Sequence, residues 1–194
     1  PKRYKSPLDL KTIEGIEGFR DGVYYGDYYS NTEKNEVSIY FVKKDSIEPV
    51  FTFPKGTINH VHNIVKDTYN NCLWILTGDF GSKIGIYKAK NNFESVEPIK
   101  LGKQKYRSCV AFPTKLGLLY ATDSQFIQNS IRLLYKKKDR WITKIIHKIN
   151  GPSVYGAMYG AKFFFSTAVE PVGIGYSKGN YGAIKFLSNL FTRE

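Results

Sequence analysis

The chain is short of methionine, cysteine, tryptophan and arginine. Met158 is the only methionine and Pro1 is the first residue, so the expectation is a piece of a longer protein that a leader could have preceded. Cys72 and Cys109 are too few and too widely spaced for a disulfide framework or a cysteine-based zinc site. Each sits in an apolar stretch, which makes buried free thiols the expected state. No apolar run approaches the roughly 18 residues that span a membrane. No long amphipathic helical period is present either, which excludes a helical bundle.

Arginine is scarce within a basic chain. The net charge is +12, yet only six of the 29 basic residues are arginine. The lysines are scattered through strand-like and turn-like segments. Even Lys136-Lys137-Lys138 falls at a strand–turn position, where it is solvated. A nucleic-acid reader gathers its charge into a stripe, so nucleic acid is not an expected partner. The surface can still attract a polyanion such as an acidic polysaccharide.

What the chain has in quantity is β-type sequence: 42% hydrophobic residues and 15% aromatics, mostly Tyr and Phe, among β-branched neighbours. Three strand-like segments end alike: Leu73–Asp79, Leu118–Asp123 and Phe163–Glu170. Thr77, Thr122 and Thr167 stand 45 residues apart in succession. A period of that size with four strands per repeat predicts propeller blades. Turn residues separate expected strands over residues 60–67, 72–77, 83–90 and 96–101, and again over 107–114, 117–122, 130–137 and 141–149. Residues 22–28, 37–43 and 49–53 read as an earlier unit, with 1–15 irregular or a partial strand. A later unit starts at Ser153, with its second strand over 162–167. The expected fold is therefore all-β: a β-propeller of four-stranded antiparallel blades in one domain, residues 1–194. The approximate blades are 16–54, 58–101, 105–149 and 152–194. Four blades would form an open arc of a larger, six-bladed-type ring.

Antiparallel connectivity puts the start of a blade's first strand and the end of its second at the same end. The expected first-strand starts are His60-Val61-His62, Tyr106-Arg107 and Val154-Tyr155. The second-strand ends carry Asp27, Asp79, Asp123 and Glu170, the last three read as equivalent positions. Arg107 offers a planar fork for a carboxylate, or a structural partner for Asp79 or Asp123. His60 and His62, two apart on a strand, face one side. Such a pair binds a metal only with a third ligand from elsewhere. None is evident in the sequence, and no metal or cofactor is assigned. The repeating threonines and acids also suit a structural role, tying down strand ends.

Several of these segments together resemble one protein group. They are His60-Val61-His62-Asn63-Ile64 with Asp67, Leu73–Asp79, Gly102–Ser108, Tyr120-Ala121-Thr122-Asp123 and Phe165–Pro171. The combination, over about residues 18–171, resembles the sialidase-like, BNR-type propellers of bacteria and archaea, some of which occur near polysaccharide biosynthesis genes. The chain departs from a working sialidase: one arginine, Arg107, or two with Arg20, stands where three are needed. The Asp-box is replaced by Lys90–Ser95 and Lys138–Trp141. The resemblance implies a carbohydrate-directed propeller that binds or acts on an acidic glycan. His60, His62, Tyr106, Arg107 and Tyr155 would contact it. As an enzyme it would be a glycoside hydrolase using Asp79, Asp123 or Glu170 as acid and base. The other enzymatic form is a polysaccharide lyase in which a His or Tyr removes the proton beside a uronate carboxylate. The alternative is a non-catalytic scaffold for a protein partner.

Overall fold

The computed structural model describes residues 8–168 and a short strand at Lys185–Leu187. The chain divides into two compact units, Pro1–Arg107 and Ser108–Glu194. All the sheets are antiparallel meanders with strands in sequence order. The first unit holds β1 (Lys11–Ile13), β2 (Gly22–Gly26), β3 (Val37–Val42) and β4 (Ile47–Phe53) in one sheet. Its second sheet is β5 (His60–Asp67), β6 (Cys72–Gly78), β7 (Gly85–Lys90) and β8 (Ser95–Leu101). The second unit holds β9 (Val110–Thr114), β10 (Gly117–Ala121), β11 (Ser130–Lys137) and β12 (Arg140–Lys148). Its other sheet is β13 (Gly156–Tyr159), β14 (Lys162–Phe165) and β15 (Lys185–Leu187). Among the described residues the only helix is a 3-10 turn at Gln104–Tyr106.

Burial follows position in the sheet. The second strand β6 is buried along its whole length and reads Cys-Leu-Trp-Ile-Leu-Thr-Gly, an unbroken run as expected of a strand covered on both faces. The third strand β3 alternates between buried and half-buried residues. The outer strands β8 and β12 are exposed or half-buried throughout, apart from Ile99. Pro49 in β4 and Pro98 in β8 sit on such outer strands, where a missing N–H costs no ladder bond. In the first unit the two sheets share one apolar core, built from Ile13, Tyr24, Ile39 and Phe41 of one and Val61, Ile64, Leu73 and Ile75 of the other.

Two features recur from sheet to sheet and are finer than the 45-residue period. The first is a bulge. Ile39, Ile86 and Ile131 hold the same register position in β3, β7 and β11, and each is fully buried. Beyond each of them the register slips by one on the outer strand, leaving Val50, Ile99 and Ile146 as the extra residue. The second is a side-chain tie. Asp27 Oδ2, Thr77 Oγ1 and Thr122 Oγ1 accept the backbone N–H of Ser38 at 2.8 Å, Gly85 at 2.9 Å and Ser130 at 2.8 Å. Thr77 and Thr122 therefore tie strand ends, as their chemistry suggested.

Some expected boundaries move. Tyr106 and Arg107 do not start a strand: Tyr106 closes the 3-10 turn, and β9 begins at Val110. β13 begins at Gly156, after Val154 and Tyr155. Asp79 and Asp123 are offset by one. Thr77 and Thr122 are equivalent by their ties, but Gly78 intervenes before Asp79, whereas Asp123 follows Thr122 directly.

Candidate functional site

The start of β5 and the end of β6 lie side by side in the first unit, with His60 opposite Gly78. The register slips between Val61 and Asn63, so His62 is the extra residue of a bulge. A bulge re-aims a side chain, and here it brings the two imidazoles together. Their ring centroids are 4.9 Å apart and their Nε2 atoms 3.0 Å apart. Gly78 supplies the space. A Cβ there would lie 2.0 Å from His62 Nε2.

Asp79, immediately after β6, closes the cluster. Its Oδ1 lies 3.2 Å from His62 Nε2 and 3.1 Å from Arg107 Nη2, and its Oδ2 lies 3.5 Å from His60 Nε2. Burial alone would push the Asp79 carboxyl up. Hydrogen bonds from His60 and His62, with the charges of His60 and Arg107, outweigh it and hold the carboxyl well below the usual carboxylate range. His60, His62 and Arg107 are buried, while the Asp79 side chain is 28% exposed, so the cluster meets solvent through its carboxylate.

The surrounding backbone is held by a polar frame. Asn31 and Asn59 exchange side chain-to-carbonyl bonds: Nδ2 of Asn31 donates to O of Asn59 at 2.9 Å, and the reverse bond is 3.0 Å. Asn59 Oδ1 also accepts the N–H groups of Asp79 and Phe80. Gln104 Nε2 donates to the Asp79 carbonyl at 3.0 Å, and Lys34 Nζ to the Phe80 carbonyl at 2.9 Å. His60 Nδ1 faces the Tyr29 carbonyl at 3.0 Å, and the Tyr28 ring leans on His60 at 4.4 Å. Phe80 is 42% exposed, with the Arg107 guanidinium 5.5 Å from its ring centre.

Of the expected site residues, His60, His62, Asp79 and Arg107 therefore meet around one carboxylate. Tyr106 precedes Arg107 as a buried ring with Lys105 Nζ 5.3 Å from its centre. Asp123 and Tyr155 belong to the second unit. Asp123 is buried and accepts the Cys109 thiol at 3.2 Å, while Tyr155 is 69% exposed. Glu170 lies outside the described residues. Gly78, Asn31, Asn59 and Gln104 were not singled out from sequence. Gln104 lies in the block Gly102–Ser108 that carries the resemblance, which was the available signal. Asn59 adjoins the histidine pair and offered only its place.

His60 Nε2, His62 Nε2 and a carboxylate oxygen of Asp79 all lie within 4.8 Å of one another. They are donors of the kind that hold a metal, and Asp79 stands where a third ligand, which the sequence left open, would be needed. No family model matches the chain, and no curated protein matches it. Among the described residues no helix is long and apolar enough to cross a membrane.

Proposed function

We propose that the chain is a run of β-propeller blades of the sialidase-like kind, and that it binds an acidic glycan at the cluster around Asp79. The cluster carries this reading: two imidazoles and a guanidinium converge on one partly exposed carboxylate at a strand end. Exposed Phe80 gives an apolar face on which a sugar ring can stack, and Lys34 adds positive charge beside it. The recurring bulge and side-chain tie support the blade reading, since a repeat built from one unit repeats its irregularities too.

Recognition suits this set better than glycoside hydrolysis. A hydrolase needs a carboxylic acid that keeps its proton until the leaving group takes it. Asp79 is held ionised by its neighbours and is poorly fitted to that role. Asp123 is bonded to a thiol in the other unit.

The test is calorimetric titration with an oligouronate and with a sialylated oligosaccharide. One of them should bind, more weakly as salt is raised. Arg107→Lys keeps the charge and loses the planar fork, and should weaken binding about tenfold or more. A folded chain that binds neither sugar, or binds equally well after that change, would overturn the reading in favour of a protein-binding scaffold.

A further inference from the structure

We propose that His60 Nε2, His62 Nε2 and the Asp79 carboxylate form a binding site for a first-row divalent cation, zinc being the best-fitting representative. The inference concerns the same cluster as the glycan reading but does not depend on it.

The spacing of the donors is the first argument. The three contacts are 3.0 Å between the imidazoles, 3.2 Å from His62 to Oδ1 and 3.5 Å from His60 to Oδ2. Ligands about 2.0–2.1 Å from a tetrahedral zinc ion stand about 3.3–3.4 Å from one another. The two carboxylate distances involve different oxygens; with one oxygen taken, the three donors lie within 4.8 Å of one another, and a small turn of the carboxylate brings them to one face of a coordination tetrahedron.

The second argument counts protons. A carbonyl oxygen only accepts, so with a cation bound His60 Nδ1 would donate to Tyr29 and Nε2 would be left to ligate through its lone pair. The carboxylate also only accepts. His62 Nε2 faces both at hydrogen-bond distance, and its single proton can serve one of them well. A cation serves all three donors together.

The surroundings are those of a metal site. A ligating histidine usually donates its other ring N–H to a carbonyl or carboxylate, which fixes the ring and its tautomer. Tyr29 does this for His60. Ligating carboxylates are themselves hydrogen-bonded from outside, and Arg107 does this for Asp79 at 3.1 Å. The bulge at His62 and the bare Gly78 beside it are what allow the rings to converge. Three protein donors with a partly exposed carboxylate also leave an open side, the pattern of a site that takes water or a ligand. Two imidazoles and one carboxylate favour zinc or a neighbouring transition ion over calcium or magnesium. An acidic or hydroxyl-bearing ligand would supply the next oxygen.

The full chain, stripped with a chelator, is titrated with Zn²⁺ alone and with Co²⁺ alone, with no sugar present. Calorimetry should show one ion per chain, and Co²⁺ should develop the visible band of a low-symmetry site. In a ¹H–¹⁵N spectrum of the imidazoles, Zn²⁺ should move the Nε2 signals of His60 and His62 and leave His147, the remaining histidine, in place. His62→Ala and Asp79→Asn should each weaken binding more than the roughly 10–100-fold that loss of an outer partner costs. Absence of stoichiometric binding, binding that leaves the two imidazoles unmoved, or unchanged affinity in a folded variant would overturn the proposal. Should the variants not fold, the wild-type imidazole signals decide alone. A failed sugar titration leaves this result standing, because no sugar enters it.

Discussion

Gly78→Ala puts one methyl group where the structure has least room for it. The added Cβ would lie 2.0 Å from Nε2 and 2.1 Å from Cε1 of His62. The φ of Gly78 is not in the left-handed region, so alanine brings no backbone strain and the effect is one of space alone. To regain an ordinary contact of about 3.5 Å the ring must retreat by about 1.5 Å. That takes His62 Nε2 out of hydrogen-bond reach of both His60 and Asp79, now at 3.0 and 3.2 Å. A lost hydrogen bond to a charged group costs about 1.5–3 kcal/mol, and overpacking of one methyl about 1–3 kcal/mol. The two overlap, because the ring relieves the clash by breaking the bond. The expected loss is about 1.5–3 kcal/mol. Urea unfolding measures it as a lower midpoint with an unchanged slope. The decisive comparison is a double-mutant cycle with His62→Ala. Once the ring is gone the methyl meets nothing rigid, and Gly78→Ala should then cost less than about 0.5 kcal/mol. An equal cost in both backgrounds would refute the reasoning and locate the strain elsewhere in β6.

Other outcomes follow from the same geometry. Asp67 is fully buried and accepts Trp74 Nε1 at 2.8 Å, the N–H groups of Tyr69 and Asn70, and the Asn70 amide. Asp67→Ala strands those donors in the β5–β6 hairpin and should cost about 2–4 kcal/mol by chemical denaturation. Burial pushes the Cys72 thiol up to about 12, so it should not react with a disulfide reagent at pH 8 until the chain unfolds; prompt labelling of the native protein at Cys72 would contradict this burial. Asp79 is held below its unfolded value of about 3.9, so its contribution to stability is full above about pH 5 and is lost as the pH falls through and below 4. Asp79→Asn should accordingly flatten the dependence of unfolding free energy on pH between about 5 and 3, and an unchanged slope would exclude the ion-pair account.

The strands were legible wherever turn chemistry punctuated them. Thr68–Asn71 separates two apolar runs, and β5 and β6 fall where that turn predicts, with β6 one residue longer. β11 matches its expected bounds, Ser130–Lys137. The starts of β9 and β13 were not legible, for a physical reason. Arg107 has an extended backbone, φ −72° and ψ 126°, yet its N–H turns back to the Gln104 carbonyl and joins no ladder. Residue type reports an extended preference, whereas a strand also needs a partner at the right height, and composition is silent on that.

The cluster around Asp79 was legible in part. Strand-end geometry brought His60, His62 and Asp79 to one place, because antiparallel pairing fixes which ends meet, whereas Arg107 reaches them from the end of the 3-10 turn and not from the expected strand start. It could not show the bulge. With His62 as an extra residue, the simple rule of alternating faces no longer explains why the rings converge. Nor could it separate the carboxylates. From sequence, Asp79 and Asp123 were interchangeable members of a repeat. In the structure Gly78 shifts Asp79 one place onward, toward two imidazoles and a guanidinium, while Asp123 accepts a hydrogen bond from a thiol. The glycine therefore does two things at once: it clears room for the His62 ring and it displaces the carboxylate that the ring meets. A repeat that kept Thr-Asp in every sheet would have the structural tie and no cluster. The one-residue departure from the period is what sets Asp79 among the two imidazoles and the guanidinium.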